Sequence, residues 1–202
     1  MCELKDNIIH EAQKLFSLNG YLNTGVNEII EASGTSKGGF YNHFASKEEL
    51  FLEVLTQAQK IWRGRVFHGL DEIESPTEKI IQMLTNYRDR YIKDTENFPG
   101  GCIFLTFSVE LDDTRPHLAK EVYKGFAGFK GLLKELLEEA KKQGEVSNDL
   151  EPEEVSEMIF AGMLGAAVQF GIDKSIPILN RSFHSLIKYI QSFREKQLLR
   201  QK

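Results

Sequence analysis

The sequence predicts an all-helical protein of about nine helices. Only 5 prolines and 16 glycines occur in 202 residues, and 41% of the residues are hydrophobic, which is enough for a packed core. Apolar residues recur three and four positions apart through most of the chain, the spacing of one helix face. The alternation typical of β-strands does not occur. We therefore expect helices throughout, joined by short turns.

Helices 1 and 2 are predicted from their apolar stripes and their glycine stops. Helix 1 covers about residues 5–19 and ends at Gly20. Its stripe consists of Ile8, Ala12, Leu15 and Phe16. Helix 2 begins near Val26 and ends before Gly34, because glycine tolerates the left-handed conformation that follows many helices.

Helix 3, about residues 37–44, has Gly38 and Gly39 near its start. Each glycine costs about 1 kcal/mol relative to alanine inside a helix, so two of them suggest that another surface approaches the backbone closely. Two short helices joined by a glycine turn are typical of a helix-turn-helix motif. We expect helix 3 to be the recognition helix, which enters the major groove of DNA.

Charge supports a small, oriented contact with DNA. The net charge of −5 argues against a protein that coats nucleic acid nonspecifically. No acidic residue occurs between Glu31 and Glu48, and Lys37, His43 and Lys47 lie in that interval. Few phosphates per subunit would be neutralised by such a surface.

The remaining helices follow in order. Ser46 and Glu49 form an S-x-x-E capping box that starts helix 4, which runs to about residue 68. Helix 5 starts near residue 77 and is broken by the NFPGG segment at 97–101. Helices 6 to 9 are predicted at about residues 102–111, 117–143, 153–172 and 176–194.

An acidic, turn-forming segment, GLDEIESP, separates the two halves of the chain. The predicted organisation is a helix-turn-helix DNA-binding domain at 1–46, a connecting helix at 47–68, and an effector-binding and dimerisation domain at 69–202. Helix 8 differs from the others because small residues interrupt its apolar face and would let another helix approach closely. They are Ala161, Gly162, Gly165, Ala166 and Ala167.

Several classes of protein are disfavoured. Cys2 and Cys102 are too few for a disulfide framework, and we interpret both as reduced thiols. The N-terminus is charged, and no apolar run approaches the roughly 20 residues of a membrane span, so we expect a cytoplasmic protein with no membrane partner. His117 and Glu121 fit a solvated helix start better than a metal site. No catalytic constellation is present, so neither an enzyme nor a bound cofactor or metal is expected.

Residues 8–55, IIHEAQKLFSLNGYLNTGVNEIIEASGTSKGGFYNHFASKEELFLEVL, resemble the TetR family of transcriptional regulators. The combined pattern LF..NGY, T.V..I....G.SKG.FY.HF.SKE.L specifies many residues at fixed spacings, so a chance match is implausible. The resemblance implies a homodimer of all-helical subunits, each with a three-helix DNA-binding domain and a larger effector domain. It also implies that helices 8 and 9 form a four-helix dimer interface, which agrees with the small-residue face of helix 8.

The resemblance also implies DNA contacts at particular positions. Thr24 would meet a phosphate, and so would Lys47 at the start of helix 4. Lys37 and Asn42 are the expected base readers, because lysine suits guanine acceptors and asparagine suits adenine. The full predicted set is Thr24, Ser36, Lys37, Gly38, Tyr41, Asn42, His43 and Lys47.

Two kinds of effector are compatible with the larger domain. A small, mostly apolar molecule could be lined by Tyr87, Tyr91, Cys102, Phe104, Phe107, Phe126, Phe129, Met163 and Phe170. Alternatively, Cys102 itself is the input, because GGCIFLTFSVEL is similar to a Gly-Cys opening of helix 6 in a subset of these regulators that sense electrophiles or oxidants. The dipole at a helix start favours the reactive thiolate. A buried, inert cysteine is the other interpretation.

The sequence thus predicts a dimeric transcriptional regulator, a repressor that leaves a palindromic operator in double-stranded DNA when a small apolar effector binds. A thiol-based repressor that uses Cys102 as its input is the alternative.

Overall fold

The structure is a computed structural model that describes residues 2–200, with side chains described from residue 3 to residue 194. Within that range the chain is helical and has no strand, which confirms the predicted fold class. Cys2 lies outside the described side chains. The helices are α1 Cys2–Asn19, α2 Val26–Ala32, α3 Lys37–Tyr41, α4 Lys47–Val66, α5 Pro76–Asn86, α6 Ile103–Leu111, α7 Pro116–Lys142, α8 Pro152–Asp173 and α9 Ile176–Arg200.

The chain forms two compact units. Unit 1 contains the residues up to Arg63 together with Ile92–Tyr123, and unit 2 contains Gly64–Tyr91 and the residues from Lys124 onward. Helices α4 and α7 each contribute to both units. The predicted domains at 1–46, 47–68 and 69–202 divide the chain differently, since they assign α6 to the C-terminal part, and they remain a prediction.

Unit 1 is built around an aromatic cluster from three helices. Phe51 of α4 lies 4.8 Å from Phe107 of α6 and 5.0 Å from Tyr21, measured between ring centroids. Phe16 of α1 lies 5.5 Å from Tyr21 and 6.2 Å from Phe107. Each such pair contributes about 0.5–1.5 kcal/mol beyond the area it buries. The cluster fixes α6 against α1 and α4.

The loop before α6 docks on the backbone of α1. The Gly100 N–H donates to Ser17 Oγ at 3.0 Å. A Cβ atom at residue 100 would lie 1.7 Å from the Ser17 carbonyl oxygen, so only glycine fits there. Glycine was expected at this position only as a helix breaker, and its second role is this close approach.

Unit 2 is held together mainly by α8 and α9. Gly162 of α8 faces Leu186 of α9, and a Cβ atom at residue 162 would lie 2.5 Å from Leu186 Cδ2. Met163 and Phe170 are buried on the same side of α8. Gly162 thus serves packing inside the chain, between α8 and α9.

Helix α8 corrects one expectation from the sequence. Its 22 residues include a window with a mean hydropathy of 1.5, so by length and composition it could cross a membrane. The prediction that no apolar run approaches that length is therefore wrong. Packing on α9 accounts for part of this apolar surface, since Ile159, Met163 and Phe170 are buried in the subunit.

The segment after α5 is irregular. Tyr87–Tyr91 forms a π-helical turn, and Tyr87 packs 5.8 Å from Phe183 of α9. Just before it, the buried Asn86 side chain donates to the carbonyl oxygens of Val66 and His68, at 3.0 and 2.8 Å. These bonds satisfy carbonyls at the C-terminal end of α4, which would otherwise lack partners.

Candidate DNA-binding surface

Helix α2 starts without a side-chain cap from its own N-cap residue. Gly25 occupies that position, and its N–H donates to Glu28 Oε2 at 2.5 Å. The other half of a capping box, in which the side chain of the N-cap residue accepts from the N–H of residue 28, is not possible because glycine has no side chain. At the other end, Ser33 donates to the Ile29 carbonyl at 2.7 Å, and Gly34 adopts a φ of 64°. The predicted glycine stop of helix 2 is therefore present.

Helix α3 is shorter than expected. It covers Lys37–Tyr41, whereas the sequence suggested residues 37–44. Ser36 caps it by accepting a hydrogen bond from the Gly39 N–H at 3.0 Å. Asn42 ends it, and Phe40 is fully buried, 5.7 Å from Phe44. A single buried aromatic residue therefore anchors the recognition helix.

The two glycines of α3 have different environments. A Cβ atom on Gly39 would lie 2.4 Å from Thr35 Oγ1, so this glycine accommodates the capping loop of its own chain. A Cβ atom on Gly38 would meet only Ser36 Oγ, at 3.9 Å. The expectation that both glycines serve an approaching surface is therefore corrected for Gly39, and only Gly38 lacks an internal reason.

Most of the predicted contact residues share one exposed surface. Tyr41 is 49% exposed, and His43 is half-buried. The other exposed members are Ser36, Lys37, Gly38 and Asn42. The side chains lie on or beside α3, with no acidic residue among them.

Thr24 does not fit its predicted role. Its side chain is completely buried, and its hydroxyl donates to the Gly20 carbonyl at 2.7 Å. A phosphate contact by this side chain is not supported, because the hydroxyl is enclosed and already bonded. The physical reason is that the turn after α1 needs an internal donor for the free carbonyl at the end of that helix.

Lys47 also has internal partners. Its Nζ donates to the carbonyl oxygens of Tyr21 and Thr24, at 2.8 and 2.9 Å. The ammonium lies 4.3 Å from the centroid of the Tyr21 ring. Burial lowers the pKa of Lys47 below its ordinary value, and the nearby Glu110 carboxylate counteracts part of that effect. The side chain acts inside the protein, so its predicted phosphate contact stays a prediction.

Glu110 was not among the residues predicted from the sequence. This residue of α6 accepts hydrogen bonds from the backbone N–H groups of Tyr21 and Leu22, at 2.7 and 2.8 Å. It therefore belongs to the surroundings of the helix-turn-helix, although it lies 88 residues away from Leu22 in the chain. Its partners are backbone groups, which carry no sequence signal.

The predicted effector residues divide between the two units. Cys102, Phe104 and Phe107 lie in unit 1. Those in unit 2 are Tyr87, Tyr91, Phe126, Phe129, Met163 and Phe170. Phe107 is fully buried against Phe16 and Phe51, so it packs in the core of unit 1, and its place in an effector site stays a prediction.

In unit 2 the aromatic residues form local clusters. Phe160 lies 5.4 Å from Phe126 and 6.3 Å from Phe129, while Tyr87 lies 5.3 Å from Tyr91. A groove between α1 and α4 of unit 1 contains none of the predicted effector residues. Its lining consists of Asp6, Ile9, His10, Gln13, Gln57 and Ile61.

Two short helices joined by a glycine turn, with exposed residues on and beside α3 that include no acidic side chain, define a helix-turn-helix DNA-binding protein. Residues 8–54 match the family model described as bacterial regulatory proteins, tetR family. Residues 76–185 match the model described as tetracyclin repressor-like, C-terminal domain. The chain belongs to the TetR family of transcriptional regulators.

Similar proteins span nearly the whole chain. The crystal structure of a TetR transcriptional regulator from Chloroflexus aurantiacus J-10-FL has a TM-score of 0.87 and 29% identity, and the match covers 94% of this chain and 95% of that one. The transcriptional repressor DhaR of Mycobacterium sp. strain GP1 is 24% identical over 172 residues, 85% of this chain and 84% of its own. The transcriptional repressor NemR of Escherichia coli K12 is 25% identical over 192 residues, 90% and 92% of the two chains.

Proposed function

We propose that the protein is a homodimeric repressor that leaves a palindromic operator when a small, mostly apolar effector binds. The observation that carries the proposal is the exposed surface of α3, which consists of Ser36, Lys37, Gly38, Tyr41 and Asn42. Its side chains offer hydrogen-bond donors and acceptors that suit base edges, and Lys37 supplies one positive charge close to the negatively charged DNA backbone. The repressors DhaR and NemR, which match most of this chain, favour repression over activation.

The recognition surface is small, so one subunit would bind DNA weakly. Helix α3 has only five residues, and Lys37 is its only cation. Two copies on a two-fold axis would read two half-sites about 34 Å apart, one in each successive major groove. Dimerisation is therefore part of the proposed function and not an addition to it.

Helix α8 offers a suitable dimer surface, together with α9. Met158, Val168 and Ile172 are 56%, 44% and 80% exposed in the subunit, and the small residues Ala161 and Gly165 are exposed between them. These five positions follow helical spacing along one face. Packing this face against the same face of a second subunit would stabilise the dimer by about 25 cal/mol for each Å² of apolar surface removed from water.

The effector is proposed to be apolar because the predicted lining residues in unit 2 are aromatic or thioether side chains. Tyr87, Tyr91, Phe129, Met163 and Phe170 are all buried. A ligand must therefore bind a conformation in which these side chains separate. Its preference for that conformation supplies the free energy for release from DNA.

Selection of DNA fragments tests the DNA-binding part directly. The purified protein is incubated with a random duplex library of about 40 base pairs, long enough for two half-sites, and the bound fraction is sequenced after several rounds. A two-fold symmetric sequence with half-site centres about one helical turn apart supports the proposal. Enrichment of no sequence, or of an asymmetric site by a monomer, refutes it.

Release is tested with the selected duplex. A panel of neutral aromatic and aliphatic compounds is added to the complex, and fluorescence anisotropy reports dissociation. Compounds that release the duplex should also raise the thermal unfolding temperature of the free protein, because they bind its folded state. Release by charged, strongly hydrophilic compounds alone would contradict an apolar pocket.

A thiol-based repressor is the second candidate, because Cys102 is the N-cap residue of α6. Its side chain is 8% exposed, so an electrophile would need a local opening to reach the sulfur. Treatment with N-ethylmaleimide should release the selected duplex from wild-type protein and not from Cys102→Ser. Equal behaviour of the two proteins eliminates this candidate and leaves the apolar effector.

A further inference from the structure

The turn between α1 and α2 is bonded on its N–H side by a residue from a distant part of the chain. Glu110 Oε2 accepts from the Tyr21 N–H at 2.7 Å, and Glu110 Oε1 accepts from the Leu22 N–H at 2.8 Å. One carboxylate therefore holds two consecutive peptide groups. Hydrogen bonds to an ionised acceptor are about twice as strong as those between neutral groups.

The carbonyl side of the same turn is bonded by a cation. Lys47 Nζ donates to the Tyr21 and Thr24 carbonyl oxygens, and Thr24 Oγ1 donates to the Gly20 carbonyl. The turn is thus held between a carboxylate of α6 and an ammonium group of α4. Glu110 and Lys47 bond the backbone of the turn, which lies between them, and not each other.

Gly20 is required for this arrangement. It has a φ of 82°, and a Cβ atom at this position would lie 2.6 to 2.8 Å from the Glu110 carboxylate atoms. A side chain would therefore be strained by the backbone and would also displace the carboxylate. Phe107, one turn before Glu110 on α6, packs on Phe51 at 4.8 Å and fixes the helix from which the carboxylate extends.

We infer that Glu110 is a positioning residue, which sets the orientation of α2 and α3 by fixing the turn at residues 20–24 to α6. The inference deepens the proposed function and rests on it. Helix α2 begins two residues after the turn, so a displaced turn reorients the start of the helix-turn-helix. Any ligand or modification that shifts α6 must either carry the turn with it or break both N–H bonds.

The test compares wild-type protein with Glu110→Gln and Glu110→Ala. The probes are the duplex most enriched by wild-type protein in the selection and a scrambled duplex of equal length, both labelled for anisotropy. If α2 and α3 lose their orientation, the affinity for the selected duplex should fall at least about 10-fold. The affinity for the scrambled duplex should stay within about twofold of the wild-type value, because phosphate contacts tolerate misorientation better than base contacts. General destabilisation would weaken both equally.

A matched control separates charge from position. Asp113→Asn removes one carboxylate from an exposed site two residues after α6. Removing negative charge should leave DNA affinity unchanged or slightly raise it, whereas Glu110→Gln should lower the specific affinity despite the same change in charge. Hydrogen exchange in residues 20–24 should also accelerate at least about 10-fold in both Glu110 variants and not in the control.

The outcomes distinguish the inference from the function beneath it. If wild type enriches a palindrome and the Glu110 variants bind it as tightly as wild type, the positioning role is refuted and the repressor proposal stands. Equal losses on both duplexes also refute the positioning role, since they indicate a structural effect. If wild type enriches nothing, the proposed function fails and the inference fails with it.

Discussion

Replacing Lys47 by methionine separates the two roles available to this residue. The side chain keeps a similar length but loses its charge, so it can neither bond the Tyr21 and Thr24 carbonyls nor bind a phosphate. If the ammonium is an internal anchor, as its bonds at 2.8 and 2.9 Å indicate, the variant should be less stable. If it neutralises a phosphate, the variant should lose part of its salt dependence.

The magnitude follows from the contacts. A hydrogen bond that involves a charged group contributes about 1.5–3 kcal/mol, and a cation over an aromatic ring contributes about 0.5–1 kcal/mol at an exposed site. Burial lowers the pKa of Lys47, which means that removing the charge recovers some of the cost of desolvation. We expect a net loss of about 2 kcal/mol in the free energy of unfolding.

Guanidinium unfolding and a salt titration of DNA binding provide the assays. With a denaturant slope of about 4 kcal/mol per molar, the midpoint should fall by about 0.5 M at equal protein concentration. Affinity for the selected duplex should also fall, while the slope of log K against log salt stays constant. Lys37→Met is the matched control, because Lys37 is exposed at the start of α3. It should leave stability unchanged and weaken binding to the selected duplex, because Lys37 is a predicted base reader. A phosphate contact by one lysine in each subunit of a dimer corresponds to a change of about 1.8 in the slope.

The internal role of Lys47 is refuted if Lys47→Met unfolds like wild type and its salt slope falls by about 1.8. That combination would mean that the ammonium leaves the turn to bind DNA, and the phosphate role implied by the family resemblance would hold.

Three further predictions follow from exposed or half-buried positions. Tyr41→Ala should weaken specific DNA binding at least about 10-fold in anisotropy while light scattering still gives a dimer, because the side chain is 49% exposed. Val168 is 44% exposed on the proposed dimer face, so Val168→Glu should place a charge in the interface and give folded monomers in sedimentation. If the variant remains a dimer, the α8 interface is contradicted. Burial raises the pKa of Glu145, but hydrogen bonds from Thr77 and Ser75 outweigh it and leave the pKa below 4.5. This carboxylate therefore stabilises the fold above that pH, so the Tm deficit of Glu145→Gln should be largest at neutral pH and shrink as the pH falls below 4.5.

Local features of the fold could be predicted from the sequence because their causes are local. The predicted cap at Ser46 is present, since Ser46 Oγ accepts from the Glu49 N–H at 3.1 Å. The return bond of the predicted capping box is displaced by one residue, because Glu49 accepts from the Ala45 N–H, at 2.7 Å, and not from that of Ser46. The Ser36 cap and the glycine stop after α2 are of the same kind. Each depends on residues within four positions of one another, so the spacing alone is informative.

Features that depend on packing were harder to predict. The spacing of Phe107 fits a residue that lines a pocket and a residue of the core equally well. Only its contacts with Phe16 and Phe51 show that it packs in the core. The same holds for Gly39, where Thr35 supplies an internal reason for the missing side chain. A helical pattern identifies which face is buried but not which partner buries it.

The bonds around the turn at residues 20–24 show a more general limit. A salt bridge between Glu110 and Lys47 could have been suspected from their opposite charges, yet both side chains bond the backbone between them instead. Every residue has the same backbone groups, so no residue type at Tyr21 or Leu22 announces a carboxylate partner. Gly20 is the single exception, because its missing side chain makes the close approach possible. Glycine beside a turn that leads into a recognition motif is therefore a reason to look for a distant side chain that holds that turn.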